Sequence, residues 1–315
     1  MKQKTPSKKH IFTILMDNSN PEVFFKFIDE GLCPTISKYL LGEKIDGKYS
    51  NASYSANIIT GLPSTSANSH VSIATGCYAR KNNFLYTNYW DLTGAKAKLV
   101  ESEKISPLAI RRFQNLINNK TKTLMEFFKD SVSFHALYKG AKIRYMRTRS
   151  LIWNFLPWAI RDDEFLADPR FWKTTFLKFI LDFLQTVKRK KKMPDASLLA
   201  FLMTDQTSHL FGFDSPEYRN AVQTLDYLLS VLIEGFTKKD GKKIPGLKEL
   251  GFLDDTIFVI CSDHGSRKIY SDIYIMLGEK VRFDLDLNIS QGLLKKDKRF
   301  ANRFVNKYHE FDGFI

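Results

Sequence analysis

The sequence predicts an α/β protein with a central, mostly parallel sheet flanked by helices. Three short apolar runs, Ile11–Met16, Leu198–Met203 and Thr256–Cys261, have the length and continuity of strands buried on both faces. Each leads into polar residues that include an aspartate, namely Asp17, Asp205 and Asp263. Segments of helical periodicity lie between the runs, as parallel strands joined by crossovers require.

The helical segments are read from spacing. Trp172 to Val187 places Trp172, Phe176, Phe179, Phe183 and Val187 on one face and ends in the basic run Lys188–Lys192. Pro216 to Phe236 does the same with Val222, Leu225, Leu229 and Leu232, before the turn-rich Lys238–Lys243. Residues 94–192 contain no cluster of metal-ligand types and read as an inserted subdomain, with catalytic-core parts at 1–93 and 193–315. Trp153, Phe155, Trp158, Phe165, Phe171 and Trp172 crowd that insertion. Their spacing favours a subdomain core over a lid that stacks a base or grips a lipid tail. The basic run at Lys188–Lys192 reads as a solvated connector, with contact to anionic lipid left open.

Composition narrows the function. With 43% hydrophobic and 14% aromatic residues, the 315-residue chain can bury a substantial core, which excludes wholesale disorder. Lys plus Arg number 48 against 34 Asp plus Glu, a net charge of +14 that favours anionic partners. No nucleic-acid recognition motif accompanies it. Cys33, Cys77 and Cys261 form no CxxC pair or disulfide framework, which favours a reducing compartment. The run Ile11–Met16 is too short for a signal or anchor, so the expected location is cytoplasmic. The sequons at Asn51, Asn119 and Asn288 then carry little weight.

Four elements carry chemistry. Ser262-Asp263-His264-Gly265 follows an apolar run directly, and Gly265 would permit the sharp turn that lets Asp263 and His264 reach one cation. Asp205 and His209, four residues apart on an expected strand-to-helix loop, have a spacing suited to one ion. Asp17 adds a hard oxygen ligand. Pro63-Ser-Thr-Ser-Ala-Asn-Ser-His70 places hydroxyl groups on a turn before a helix, where free N–H groups favour an anion. Taken singly, Asp-His-Gly could be a plain turn and Asp205 a helix cap. Their joint order on successive strand ends favours a site.

These pieces resemble the type I phosphodiesterase/nucleotide pyrophosphatase family of the alkaline phosphatase superfamily. The likeness runs through Ile14–Asp17, Glu30–Pro34 leading to Leu40, Pro63–His70 with Ile73–Gly76, Asn88–Asp91, Asp205–His209 with Phe211–Gly212, and Ser262–Gly265. It implies an alkaline-phosphatase-like fold and a hydrolase of phosphate diesters or nucleotide pyrophosphates that forms a covalent phospho-serine. A phosphomonoesterase and a catalytically impaired nucleotide- or lipid-binding relative are the rival readings. Carried over by position, Ser66 is the nucleophile, with Thr65 as the fallback, and Asn88 steadies the phosphoryl oxygens. Asp17, Asp263, His264 and Ser66 would hold one metal, and Asp205 and His209 the other. The implied ions are zinc.

The chain also departs from the family pattern. Asn18 follows Asp17 where glycine is usual, and Ser69 precedes His70 where asparagine is usual. The resemblance implies a further histidine well beyond Asp-His-Gly, where this chain offers only His309. Phe311–Ile315 reads as the start of a strand, so the expectation is a truncated chain with an incomplete metal site at Asp205 and His209.

Overall fold

The computed structural model describes residues 9–56, 58–61, 65–82, 84, 88–91, 98–101, 117–118, 120–134, 139–145 and 169–266. Trp153, Phe155, Trp158, Phe165, Pro63, Ser64, Asn119, Asn288, His309 and the segment 311–315 lie outside them. The chain divides into two compact units, residues 1–87 with 102–266, and residues 88–101 with 267–315. Described residues of the second unit form an antiparallel hairpin in which Asn88–Asp91 pairs with Lys98–Glu101.

The first unit is built on a sheet whose described strands are β1 (His10–Met16), β2 (Ser131–Phe134), β3 (Ile143–Tyr145), β4 (Ala196–Phe201) and β5 (Thr256–Ser262). Their order is β5-β1-β4-β2-β3, and every pairing is parallel. The 94–192 span thus supplies two strands to this sheet, β2 and β3. Met16 pairs with Ser262 on one side and Phe201 on the other. The three strand ends that precede the candidate site residues are therefore level.

Side-chain alternation sorts the strands onto two cores. Phe12, Ile14, Met16, Leu199 and Phe201 join the larger cluster, while Leu15, Ala196, Leu198 and Ala200 join the smaller. Three helices bury apolar stripes in the larger core: α1 (Pro21–Asp29), α3 (Pro169–Lys190) and α5 (Pro216–Glu234). Helix α2 (Ser66–Thr75) adds Val71 and Ala74 to the smaller one. Alanines at 74, 141, 196 and 200 supply much of that second core.

The starts of α1 and α5 are legible in the sequence. Asn20 Oδ1 accepts from the N–H groups of Glu22 and Val23, and Ser215 Oγ accepts from that of Tyr218. Each cap is followed by a proline at the first helical position, where the missing N–H costs nothing. Helix α3 encloses the expected Trp172–Val187 stripe, with Trp172, Phe176, Phe183 and Val187 buried.

Three expectations shift. The run Leu198–Met203 is not all strand, because β4 ends at Phe201 and Met203 opens helix α4 (Met203–Phe211). Met203 is as buried as the strand residues, so hydropathy cannot mark the boundary. Asp205 consequently sits in the first turn of α4, not on a loop. Strand β5 is not buried on both faces either. Among the described residues it pairs only with β1, and Ile257 and Val259 are 47% and 40% exposed. Phe258 and Ile260, on the alternate positions, pack against the larger core.

Candidate active site

Asp17, Ser66, His70, Asp205, His209, Asp263 and His264 gather beyond the carboxyl ends of β1, β4 and β5. Asp17 continues β1, its N–H bonded to Phe201 O and its carbonyl accepting from Thr204 Oγ1. Asp263 and His264 follow β5. There Thr60 Oγ1 donates to Asp263 O at 2.7 Å and lies 3.0 Å from Ser69 Oγ. Thr60 thus links Ser69 of helix α2 to the Asp263 turn. Gly265 does not adopt the left-handed conformation that would require glycine, and a side chain there would meet open space. The left-handed backbone lies instead at Asn18, with φ 52°.

Ser66 is the first residue of α2, preceded by Thr65 in extended conformation. Its hydroxyl donates to Asp17 Oδ1 at 3.2 Å and lies 3.0 Å from His264 Nε2. His264 Nε2 is in turn 3.5 Å from Asp17 Oδ1 and 3.4 Å from Asp263 Oδ2. One turn along α2, His70 Nε2 lies 3.3 Å from Asp17 Oδ2 and 3.2 Å from Asp263 Oδ2. Asp205 reaches the same cluster, its carboxylate within 4.8 Å of the Asp17 carboxylate and the His264 imidazole. His209 Nε2 lies 3.2 Å from Asp205 Oδ1, with 67% of its side chain exposed. Asn88 opens a strand of the hairpin in the other unit, and its side chain is outside the described residues.

Charge is unbalanced in this cluster. Burial pushes the Asp17 carboxyl up to about 6, with His70 opposing and the Asp263 and Asp205 charges adding to the rise. Burial would lower His70, but its two carboxylate neighbours outweigh that and raise it to about 10. Burial would raise Asp263, yet the contact and charge of His70, the charge of His264 and the Asn18 N–H bring it down to about 2. His70, Asp17 and Asp263 are ion-pair neighbours more than hydrogen-bonded partners. His70 Nε2, Asp263 Oδ2 and Asp205 Oδ1 are buried with no well-aligned hydrogen bond among the described residues.

Such orphaned polar atoms cost roughly 1–3 kcal/mol each, so the cluster is no device for stability. Its donor set fits divalent metal. Oxygen and imidazole ligands at about 2.0–2.1 Å from a tetrahedral zinc stand about 3.3 Å apart, and the contacts around Asp17 span 3.0–3.5 Å. Two groups of donors converge, Asp17 with His70 and Asp263, and Asp17 with Asp205 and His264.

A family profile described as type I phosphodiesterase / nucleotide pyrophosphatase matches residues 12–293. The chain belongs to that family. Among solved structures it is similar to the crystal structure of phosphonoacetate hydrolase from Sinorhizobium meliloti 1021 in complex with phosphonoformate. That likeness has a TM-score of 0.50 and 14% identity over 84% of this chain, and it is a likeness of fold. This chain covers 58% of that structure's chain, less than two thirds of its length. No curated protein matches in sequence. The expected alkaline-phosphatase-like architecture, a mostly parallel central sheet flanked by helices, is thus present.

Sequence reasoning did not give His70 a role, although its spacing of four from Ser66 puts both on one face of a helix. Asn18 and Thr60 carried no readable signal beyond the unusual residue after Asp17. Among the described residues no helix is long and apolar enough to cross a membrane, and Cys33, Cys77 and Cys261 are free thiols.

Proposed function

We propose that this protein hydrolyses phosphate diesters or nucleotide pyrophosphates through a covalent phospho-serine at Ser66, with two divalent ions, zinc by donor type. The observation that carries the reading is the Ser66 hydroxyl, set at a helix N-terminus between Asp17 Oδ1 and His264 Nε2. Asp17, Asp263, His264 and Ser66 would hold one ion, with His70 against the same carboxylates, and Asp205 and His209 the other. Bound there, the ions would lower the hydroxyl pKa and offset charge on the phosphoryl oxygens.

The chain's own groups define the rest. Ser66 Oγ forms a bond to phosphorus as the bond to the leaving oxygen breaks, and the departing alcohol or phosphate carries away the displaced electron pair. Asp17 Oδ1 already accepts the hydroxyl's hydrogen bond and stands ready for its proton. The free N–H groups of the first turn of α2 face the anionic oxygens. Water then cleaves the phospho-serine and restores the hydroxyl. Asn88 enters on family resemblance alone, as a donor to the phosphoryl oxygens. The net charge of +14 favours such anionic substrates.

The test is Ser66→Ala assayed on bis(p-nitrophenyl) phosphate beside its zinc content. Loss of turnover by a factor of about a thousand or more, with zinc still bound, is expected. Unchanged turnover overturns the assignment. A monoester hydrolysed faster than the diester would select a phosphomonoesterase instead.

A further inference from the structure

Asn18 makes more connections than the chemistry above uses. The residue is 1% exposed and left-handed, a conformation that asparagine tolerates better than most side chains. Its N–H donates to Asp263 Oδ1 at 2.9 Å. Its side-chain Nδ2 donates to Ser208 Oγ at 2.8 Å, and its Oδ1 accepts from Ser266 Oγ at 2.8 Å. Ser208 lies in α4 between Asp205 and His209 and donates to Asp205 O at 2.8 Å. Ser266 follows His264 by two residues. One side chain next to Asp17 therefore grips two of the elements that carry metal-type donors, α4 and the Asp263 turn, one with each end of its amide.

We propose that Asn18 is a positioning residue that couples the two halves of the site, fastening the helix of Asp205 and His209 to the turn of Asp263 and His264. The proposal rests on the two-ion reading. It also explains what the departure from glycine achieves. Glycine satisfies the left-handed backbone and keeps the N–H bond to Asp263, but it leaves α4 and the Asp263 turn without a shared partner. An amide is suited to the task because it offers a donor and an acceptor at fixed ends. Outer partners of this kind typically change metal affinity by about 10–100-fold.

The experiment compares the wild-type chain with Asn18→Gly, Ser208→Ala, Ser266→Ala and the Asn18→Gly/Ser208→Ala pair. Zinc affinity is measured by competition with a chelator, and amide hydrogen exchange is measured in EDTA. Coupling predicts that Asn18→Gly speeds exchange in both 203–211 and 262–266 and weakens both zinc ions by about 10–100-fold. Ser208→Ala should weaken one ion, Ser266→Ala the other, and the pair should be no worse than Asn18→Gly for the ion that Ser208→Ala affects. A wild type that binds two zinc ions, with an Asn18→Gly variant that matches it, overturns the positioning role alone. Additive losses in the pair overturn it too, because they mean independent actions. A wild type that binds no zinc overturns the proposed function, and the positioning role with it.

Discussion

His70 Nε2 stands 3.2 Å from Asp263 Oδ2, both atoms buried and neither in a well-aligned hydrogen bond. The same nitrogen is 3.3 Å from Asp17 Oδ2, so one imidazole separates two buried carboxylates. In metal-free protein its positive charge is what offsets them. His70→Ala should therefore destabilise the protein in EDTA by about 3–5 kcal/mol, the cost of leaving buried charge uncompensated. His70 is raised to about 10, so its contribution is fully present below the unfolded value of 6.5 and is lost as pH rises through about 10. Urea titrations across that range check it. Saturating zinc should narrow the deficit, because a cation then supplies the missing charge. A variant as stable as wild type at pH 6 in EDTA would remove His70 from this role.

Asp17 has the opposite relation to stability. Its carboxyl, raised from 3.8 to about 6, holds its proton more tightly in the folded state. The stability this gives is present below 3.8 and lost as pH rises through about 6. Metal-free Asp17→Asn should thus be more stable than wild type at pH 7.5, on the order of 3 kcal/mol, and equal to it below pH 4. Zinc should reverse the order by stabilising wild type alone. Denaturant midpoints in EDTA and in zinc measure both signs.

How much of this was legible in the sequence depends on what each residue had to signal. Asp17, Asp263 and His264 were visible because they end apolar runs, and a parallel sheet brings such ends together. The start of α4 was not visible, since Met203 is as apolar as the strand it follows, and Asp205 was placed on a loop in consequence. His70 is hidden for a different reason. Its partners Asp17 and Asp263 are 53 and 193 residues away, and nothing local marks a histidine facing the sheet. Gly265 and Asn18 exchange roles for a related cause. Glycine advertises a turn, yet the left-handed residue is the asparagine, held by bonds to Asp263, Ser208 and Ser266. The exposed face of β5 lay beyond reach too, because a run of apolar residues does not say whether one face of a strand is covered or both.

Ser66 offers a sharper test by conservative change. Its hydroxyl, not its size, is placed by Asp17 and His264. Threonine keeps that hydroxyl and is the commoner residue at this place in the family pattern. Ser66→Thr should hold diesterase turnover within about tenfold of wild type, about 1.4 kcal/mol in the barrier. Thr65→Ala should be similarly mild, since Thr65 precedes the helix and its hydroxyl has no hydrogen bond among the described residues. Steady-state rates on bis(p-nitrophenyl) phosphate separate the two. A severe loss in Thr65→Ala with an active Ser66→Ala would move the nucleophile by one residue.

Asp205 and His209 should hold their ion more loosely than the cluster around Asp17. Of the two donors on α4, Asp205 is buried but His209 keeps 67% of its side chain in solvent. The other proposed site has Asp17 and Asp263 buried, with His264 Nε2 3.4 Å from Asp263 Oδ2 and 3.0 Å from Ser66 Oγ. Zinc titration should accordingly show a tight and a weak class of sites, and Asp205→Asn should abolish the weak one while leaving the tight one filled. The Asp205 contact raises the pKa of His209, so zinc must displace a proton from it as pH falls. Weak-site affinity should drop toward acid pH, which isothermal titration at pH 6 and pH 8 will measure. If Asp205→Asn still binds two ions, the second ion draws its ligands from elsewhere.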